Sequence, residues 1–360
     1  MNLTRENVLG YRFRAQGLDR DGGVEGLLGL GIQDTPAGTA ATALAARGAE
    51  RPPGTRIVWS WRGAPHVHAE ADLKRLAAAT WPVDDADATR RISNPRIKEG
   101  ARRGLEAFVA AATALREAVT EKLPKGEVSR RVSATVPDDL NFDCPTCESR
   151  HISGGLFQLV GVAAGVEVVT QGRSTFLQPL PAALRRREIP RAGSGLDEML
   201  LRYLHVNGPV SSAALAAHAG MTATALKPHL PAGLVEVSAG NTGKVWAPEG
   251  DLEDLRRDAR PEAVRLLPGG DPWLTVRDRD LVVPGAEQHR AIYTSLSNPG
   301  VVLVNGDVTG TWRAKRAGRV LDLEITAFGD LSAAVKQQVE QEARLIAPAR
   351  AAQDARVRYA

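Results

Sequence analysis

Gln33 and Asp34 stand where an apolar run, Leu27 to Ile32, gives way to an alanine-rich stretch at 37–47. Pro36 biases Thr35 away from helix and can open the next helix at its first turn. The pair therefore marks a junction between a buried segment and a helix start. A carboxylate at such a place can act as a general base or electrostatic stabiliser, or it can simply cap the helix. The glycines of GGVEGLLGLGIQDTPAG, 22–38, raise the question of a phosphate loop. No Gly-Lys-Ser/Thr follows, which excludes a P-loop. No buried strand precedes Gly22, which excludes a dinucleotide-binding turn.

Other groups could bind. In the segment 56–68, Ile57, Trp59 and Trp61 alternate in strand fashion, Arg62-Gly63 makes a turn, and His66 and His68 then share one side of the chain. The two imidazoles could hold a metal, orient a phosphate or pack quietly. Without a third ligand nearby, phosphate contact or packing is favoured over metal. Cys144-x-x-Cys147 followed by His151 has zinc-like spacing, but the chain has only two cysteines and a fourth ligand would have to be remote. Zinc is therefore not favoured there, a structural pair of thiols is expected, and no cofactor is assigned. Arg185-Arg186-Arg187 is the densest basic run and lies in a Pro/Gly-flanked linker. It could grip phosphate or be a solvated stretch. The same two readings apply to Arg130 and Arg131, and to Arg313 and Lys315 on one face of a strand.

The elements that must carry these groups follow from periodicity. From 194 to 248, Leu196, Met199, Leu200, Tyr203 and Leu204 line one helical face. Asn207-Gly208-Pro209 stops that helix, Ser211 or Ser212 caps a second over 213–218, and Thr222 caps a third that Pro228 shortens. LVEV and KVWAP then read as two strands around the turn 239–243. Helix, helix, turn, helix and a two-stranded wing is a winged helix, a common nucleic-acid-binding layout in which the third helix reads the groove. Lys227 and Lys244 are the lysines this segment offers a duplex. Residues 96–122 read as one long helix. Helices are also expected over 4–18, 37–47, 71–79 and 332–346, and a strand meander over 300–327. Because KGEVSRRV at 125–132 resembles a second helix-turn-helix fragment, residues 1–140 are expected to hold a first winged helix with large insertions.

Composition sets bounds. A chain of 360 residues with 43% hydrophobic content can build more than one packed core. Only 4% of residues are aromatic, which argues against stacking platforms for single strands. Forty-six basic against 42 acidic residues give a net charge of +4, compatible with a polyanionic partner without requiring one. Two cysteines, no signal-peptide pattern and no long apolar run point to a cytoplasmic protein with no membrane association, and a monomer is expected.

The motifs LGIQDTPAG, WRGAPHVH, CPTCESRH, LLPGGDPWL and NPGVVLVNGDVTGTWRAKR, in this order around a winged helix, resemble the winged-helix DNA glycosylase family of the AlkZ and YcaQ type. The resemblance spans most of the chain. It implies tandem winged helices, a sheet-rich carboxy-terminal part, a basic concave surface for double-stranded DNA, and hydrolysis of the N-glycosidic bond of cationic N7-alkylated purines or of crosslinks. The family motif is Gln, an apolar residue, then Gln or Asp. Here Asp34 and Thr35 match the acidic version, Ile32 stands at the first position, and Gln33 is displaced by one. The expectation is thus an α+β chain with tandem winged-helix domains and a C-terminal antiparallel β-rich domain, divided at 1–140, 141–193, 194–256 and 257–360. Asp34 and Gln33 are the candidate catalytic residues. Arg62, His66, His68, Arg130, Arg131, Arg185, Arg186, Arg187, Lys227, Lys244, Arg313 and Lys315 are the candidate DNA contacts. A non-catalytic DNA-binding protein or regulator is the alternative.

Overall fold

The computed structural model describes residues 1–239, 243–257, 261–294 and 297–360. Residues 240–242 of the expected wing turn lie outside them. The fold is α+β, and its contacts divide it into two compact units that are not serial: Met1–Pro53 with Leu201–Leu215 and Pro231–Ala360, and Gly54–Leu200 with Ala216–Leu230.

In the first unit a five-stranded sheet runs in the order Val264–Leu267, Gly300–Val304, Asp307–Ala317, Val320–Ala327, Asp354–Tyr359. The first four strands pair antiparallel, and the three from Gly300 to Ala327 follow the expected meander. The last pair, Val320–Ala327 with Asp354–Tyr359, is parallel. The entirely antiparallel expectation is therefore corrected. Parallel neighbours need a crossover, and the helix Ala333–Ile346 provides it. Its inner side, Val339, Ala343 and Ile346, is fully buried. That helix packs on the strand Val264–Leu267 and on a helix at Thr39–Ala46. A second sheet joins Asn2–Leu3, parallel, to Leu234–Ala239, which pairs antiparallel with Lys244–Pro248. The amino-terminal residues thus complete a sheet begun more than two hundred positions later, which is why contacts cut the chain differently from sequence order. One apolar core serves this unit, from Leu9 and Phe13 through Trp273 to Ile325, with Phe13 and Trp273 edge to face at 6.2 Å.

The second unit is built of hairpins and short helices. Thr55–Trp59 pairs with Pro65–Ala69, and Val166–Gln171 pairs with Ser174–Pro179, which also takes Leu123–Pro124 at its edge. A third hairpin joins Asn141–Cys144 to Ser149–Ile152. The long helix expected over 96–122 is instead two, Lys98–Ala101 and Leu105–Ala118. The break is at Gly104, whose φ of +58° suits glycine and where a Cβ would meet the Asp85 carboxylate. Asp85 Oδ1 then accepts from Leu105 N at 2.8 Å and caps the longer piece.

Between residues 196 and 248 the elements come in the expected order: helices Leu196–Asn207, Ser212–Ala219 and Ala223–Leu226, then the two strands. Leu196, Met199, Leu200, Tyr203 and Leu204 are all buried. Thr222 caps Ala225 N at 3.2 Å, and the third helix stops after four residues because Pro228 opens a 3-10 turn.

Candidate active site

Asp34 begins the loop that leads into the helix Thr39–Ala46. Its Oδ1 accepts from Gly38 N at 2.8 Å and from Ala40 N at 3.0 Å. These are among the N–H groups that a helix start leaves without intrahelical partners. The carboxylate therefore caps the helix and sits at the positive end of its dipole. Among the described residues Oδ2 takes no hydrogen bond. Burial pushes the carboxyl above the ordinary aspartate range, while the backbone bonds from Ala40 and Gly38 and the charge of Arg51 pull the other way. The cap uses only one oxygen of the carboxylate, so capping leaves a base role possible for the other. Gln33, in the two-residue strand Ile32–Gln33, is half-buried, and no hydrogen bond reaches its amide among the described residues. Ile32 points into the core and is fully buried. Thr35, Pro36 and Ala37 are exposed, so the loop lies at the surface with Asp34 half-covered behind it.

What holds this loop is LLPGGDPWL. A Cβ on Gly270 would lie 3.0 Å from Thr39 Cγ2 and 3.3 Å from Thr35 O. The glycine lets that segment close on the loop. Next to it, Asp271 forms a bidentate pair with Arg47, at 2.8 and 3.0 Å, and neither side chain has any exposure. Arg47 also donates to Ala43 O and to Gln16 O, both at 2.7 Å. Asp271 Oδ1 further accepts from Trp273 N at 2.9 Å. Both charges are thus paired and hydrogen-bonded, as burial requires. Residue-by-residue reading missed Arg47, Gly270 and Asp271. The signal was present in the Gly-Gly-Asp-Pro turn, but its partner lies 224 positions earlier.

In the second unit the arginine run lines a groove of about 690 Å³ with Lys74 and Arg116. The run is not a loose linker. Arg116 donates to the carbonyls of Ala163, Ala164, Arg186 and Arg187, from 2.7 to 3.2 Å, and so fixes the backbone under the run. The stem of Arg185 lies over Gly165, where a Cβ would be 2.8 Å from its Cδ. Arg186 and Arg187 are exposed and have no ion-pair partner among the described residues. Arg116 was missed in the sequence because it reads there as one more polar position on a helix.

The other candidate contacts are placed as follows. Arg130 and Arg131 both pair with Glu127, at 3.5 and 2.7 Å, and Lys244 pairs with Glu236 at 2.9 Å. Lys227 is exposed. Arg62 is exposed with a φ of +58°, and its guanidinium reaches His218 O at 3.5 Å. Arg313 and Lys315 lie opposite Glu324 and Asp322 on the sheet, and Arg313 donates to Ser297 O at 3.2 Å. His66 and His68 do share one side of their strand, but it is the inner side. Ser60 Oγ bridges His66 Nδ1 at 3.0 Å and His68 Nε2 at 2.9 Å. Burial, with the neighbouring charges of His68 and Arg62, pushes His66 down to about 3. Both rings are covered and His66 is held neutral, so packing is the role their placement supports. Alternation defines which groups share a side, but not which side faces solvent.

Cys144, Cys147 and His151 converge at the tip of the third hairpin, with their ligand atoms within 4.8 Å of one another. The Cys144 thiol is lowered to about 6, chiefly by the backbone N–H of Cys147, with help from the His151 side chain.

An α+β chain with a carboxylate fixed by backbone donors at a surface loop, and an arginine-lined groove elsewhere, has the parts of a nucleic-acid hydrolase. The family model for AlkZ-like DNA glycosylases matches residues 24–349, and the chain belongs to that family. It is a DNA glycosylase, a hydrolase of DNA repair. Its fold is similar to that of the DNA glycosylase AlkZ of Streptomyces sahachiroi, with a TM-score of 0.70 and 18% identity over 100% of both chains. No curated protein matches the sequence. No helix among the described residues is long and apolar enough to cross a membrane.

Proposed function

We propose that the enzyme hydrolyses the N-glycosidic bond of cationic N7-alkylated purines in double-stranded DNA, crosslinked bases included, using Asp34 to orient and activate water. The observation that carries this reading is the division of labour on one carboxylate: Oδ1 is locked by two backbone donors, and Oδ2 takes no hydrogen bond among the described residues. A cationic base is already a good leaving group and needs no strong acid. A fixed anion near the sugar carbon stabilises the oxocarbenium-like transition state and takes a proton from water. Gln33, whose amide takes no hydrogen bond among the described residues, assists in holding that water. The order of helices and strands between 196 and 248 supports a winged-helix scaffold for binding DNA. The direct test is incubation with duplex carrying N7-methylguanine, followed by assay for abasic sites. Absence of abasic product under single-turnover conditions removes this substrate class.

The raised Asp34 carboxyl has a consequence for pH dependence. The active form is the anion, so the single-turnover rate falls as pH drops through the carboxyl's own value. Because burial raises that value, the acid limb is expected at a pH above that of an ordinary aspartate. A pH–rate profile flat through the ordinary aspartate range would show that this group is not the base.

The groove with Arg186 and Arg187 is the surface we assign to phosphate. Arg186→Ser with Arg187→Ser is expected to weaken duplex binding at low salt. It should also flatten the plot of log affinity against log salt by roughly two units of slope, one for each lost phosphate contact. The backbone pins from Arg116 reach carbonyls, so they survive the substitutions. An unchanged slope would mean that these side chains do not touch the duplex.

A further inference from the structure

We infer that Cys144, Cys147 and His151 form a zinc site that staples the tip of the hairpin Asn141–Cys144/Ser149–Ile152, with water as the fourth ligand. The sequence argument against zinc was the want of a fourth protein ligand. The geometry shows that the other three are already assembled.

One of the three spacings already matches a tetrahedral site, and the rest lie within 4.8 Å. With Zn–S near 2.3 Å and Zn–N near 2.1 Å, a sulfur and a nitrogen on one zinc are about 3.6 Å apart. Cys147 Sγ and His151 Nε2 stand 3.7 Å apart. The imidazole is also set in the tautomer a metal needs. His151 Nδ1 lies 2.8 Å from Ile152 O, and a carbonyl only accepts, so in the neutral ring Nδ1 carries the hydrogen and Nε2 presents its lone pair to Cys147. The ring is held edge to face by Phe142 at 4.8 Å, and Arg96 lies over Phe142 at 4.8 Å. The base of the hairpin is anchored as well: Asn141 Nδ2 donates to Ser133 O at 3.0 Å, and Ile152 N donates to Ser133 Oγ at 2.8 Å. Glu148, at a φ of +51°, turns the chain so that Ser149 pairs with Cys144 and brings both thiols to the histidine. A thiol pair that did no more than pack would not need this exposed turn.

Binding exchanges protons for metal. Two thiols and Zn²⁺ give a dithiolate complex and two protons, with no redox change. Three protein ligands plus water is an established zinc coordination. The soft thiolates favour zinc over magnesium or calcium. This site is independent of the glycosylase reading, since none of its residues belongs to the Asp34 loop or the arginine groove.

The test uses the full chain, purified under reducing conditions, exposed to Zn²⁺ and then desalted. Elemental analysis should return about one zinc per chain, and Cys144→Ser/Cys147→Ser should return none above background. Because the tip is exposed, far-UV circular dichroism of that variant should match the wild type. With Co²⁺ as the probe, the wild type should show the visible bands of a tetrahedral site and thiolate charge transfer, weakened in His151→Gln. Equal zinc in the wild type and the double serine variant would overturn the site. So would a Cys144–Cys147 disulfide in freshly prepared protein free of zinc.

Discussion

Asp34→Asn is expected to lower the single-turnover rate of base release by roughly 10²–10⁴-fold, the usual contribution of a positioned general base. The substitution separates the two jobs of this side chain. Asparagine keeps an oxygen that can accept from Gly38 N and Ala40 N, and asparagine is as good a helix cap as aspartate. Helix Thr39–Ala46 should therefore stay in place, and stability should change by less than about 1 kcal/mol. What is lost is the anion at Oδ2, and with it both the proton acceptor and the charge that faces the developing oxocarbenium. Asp34→Ala removes the cap as well and should cost stability in addition. Rate, measured on N7-methylguanine duplex, and midpoint, measured by urea unfolding, should thus part company in the first variant and fall together in the second. If Asp34→Asn keeps wild-type rates, the carboxylate is a cap and nothing more.

The largest effect on stability is expected at Arg47 and Asp271. Both are sealed from solvent and each is the other's counter-charge. Arg47→Met leaves Asp271 as an unpaired buried anion, and a loss of roughly 3–5 kcal/mol is expected, as for other buried pairs broken from one side. Asp271→Asn leaves the guanidinium uncompensated while keeping an acceptor for Trp273 N, so its cost isolates the charge. Replacing both partners, Arg47→Met with Asp271→Leu, should recover part of the loss, since no charge is then stranded, although the carbonyls of Ala43 and Gln16 still lose a donor. Urea unfolding measures all three. A single-variant loss under about 1 kcal/mol would class this pair with exposed ones and refute the role assigned to it. The same variants should slow base release, because the pair fastens the far end of the helix whose start holds Asp34.

The strand and helix patterns near these residues were plain in the sequence. The apolar face of Leu196–Leu204 and the capping by Thr222 come from local spacing, as does the early stop at Pro228. So does the Gln33-Asp34 junction ahead of a helix. Two outcomes were set by neighbourhood rather than by pattern. The helix expected over 96–122 breaks because Asp85, on another helix, occupies the space beside Gly104 and caps the helix that starts at Leu105. The histidines at 66 and 68 face inward because Ser60 gives them an internal partner.

Taken alone, the sequence determined the local vocabulary: which stretches are helix or strand, where caps and turns fall, and that a carboxylate ends an apolar run at position 34. Those are short-range matters of period, propensity and backbone sterics. Tertiary structure decided the rest. It closed the five-stranded sheet with a parallel strand and pinned the arginine run through Arg116. It set Arg47 against Asp271 and, among the described residues, left one oxygen of Asp34 without a hydrogen bond. Each depends on groups far apart in the chain meeting in a place from which water is excluded. There, burial and the partner, rather than the residue type, set what a charge does.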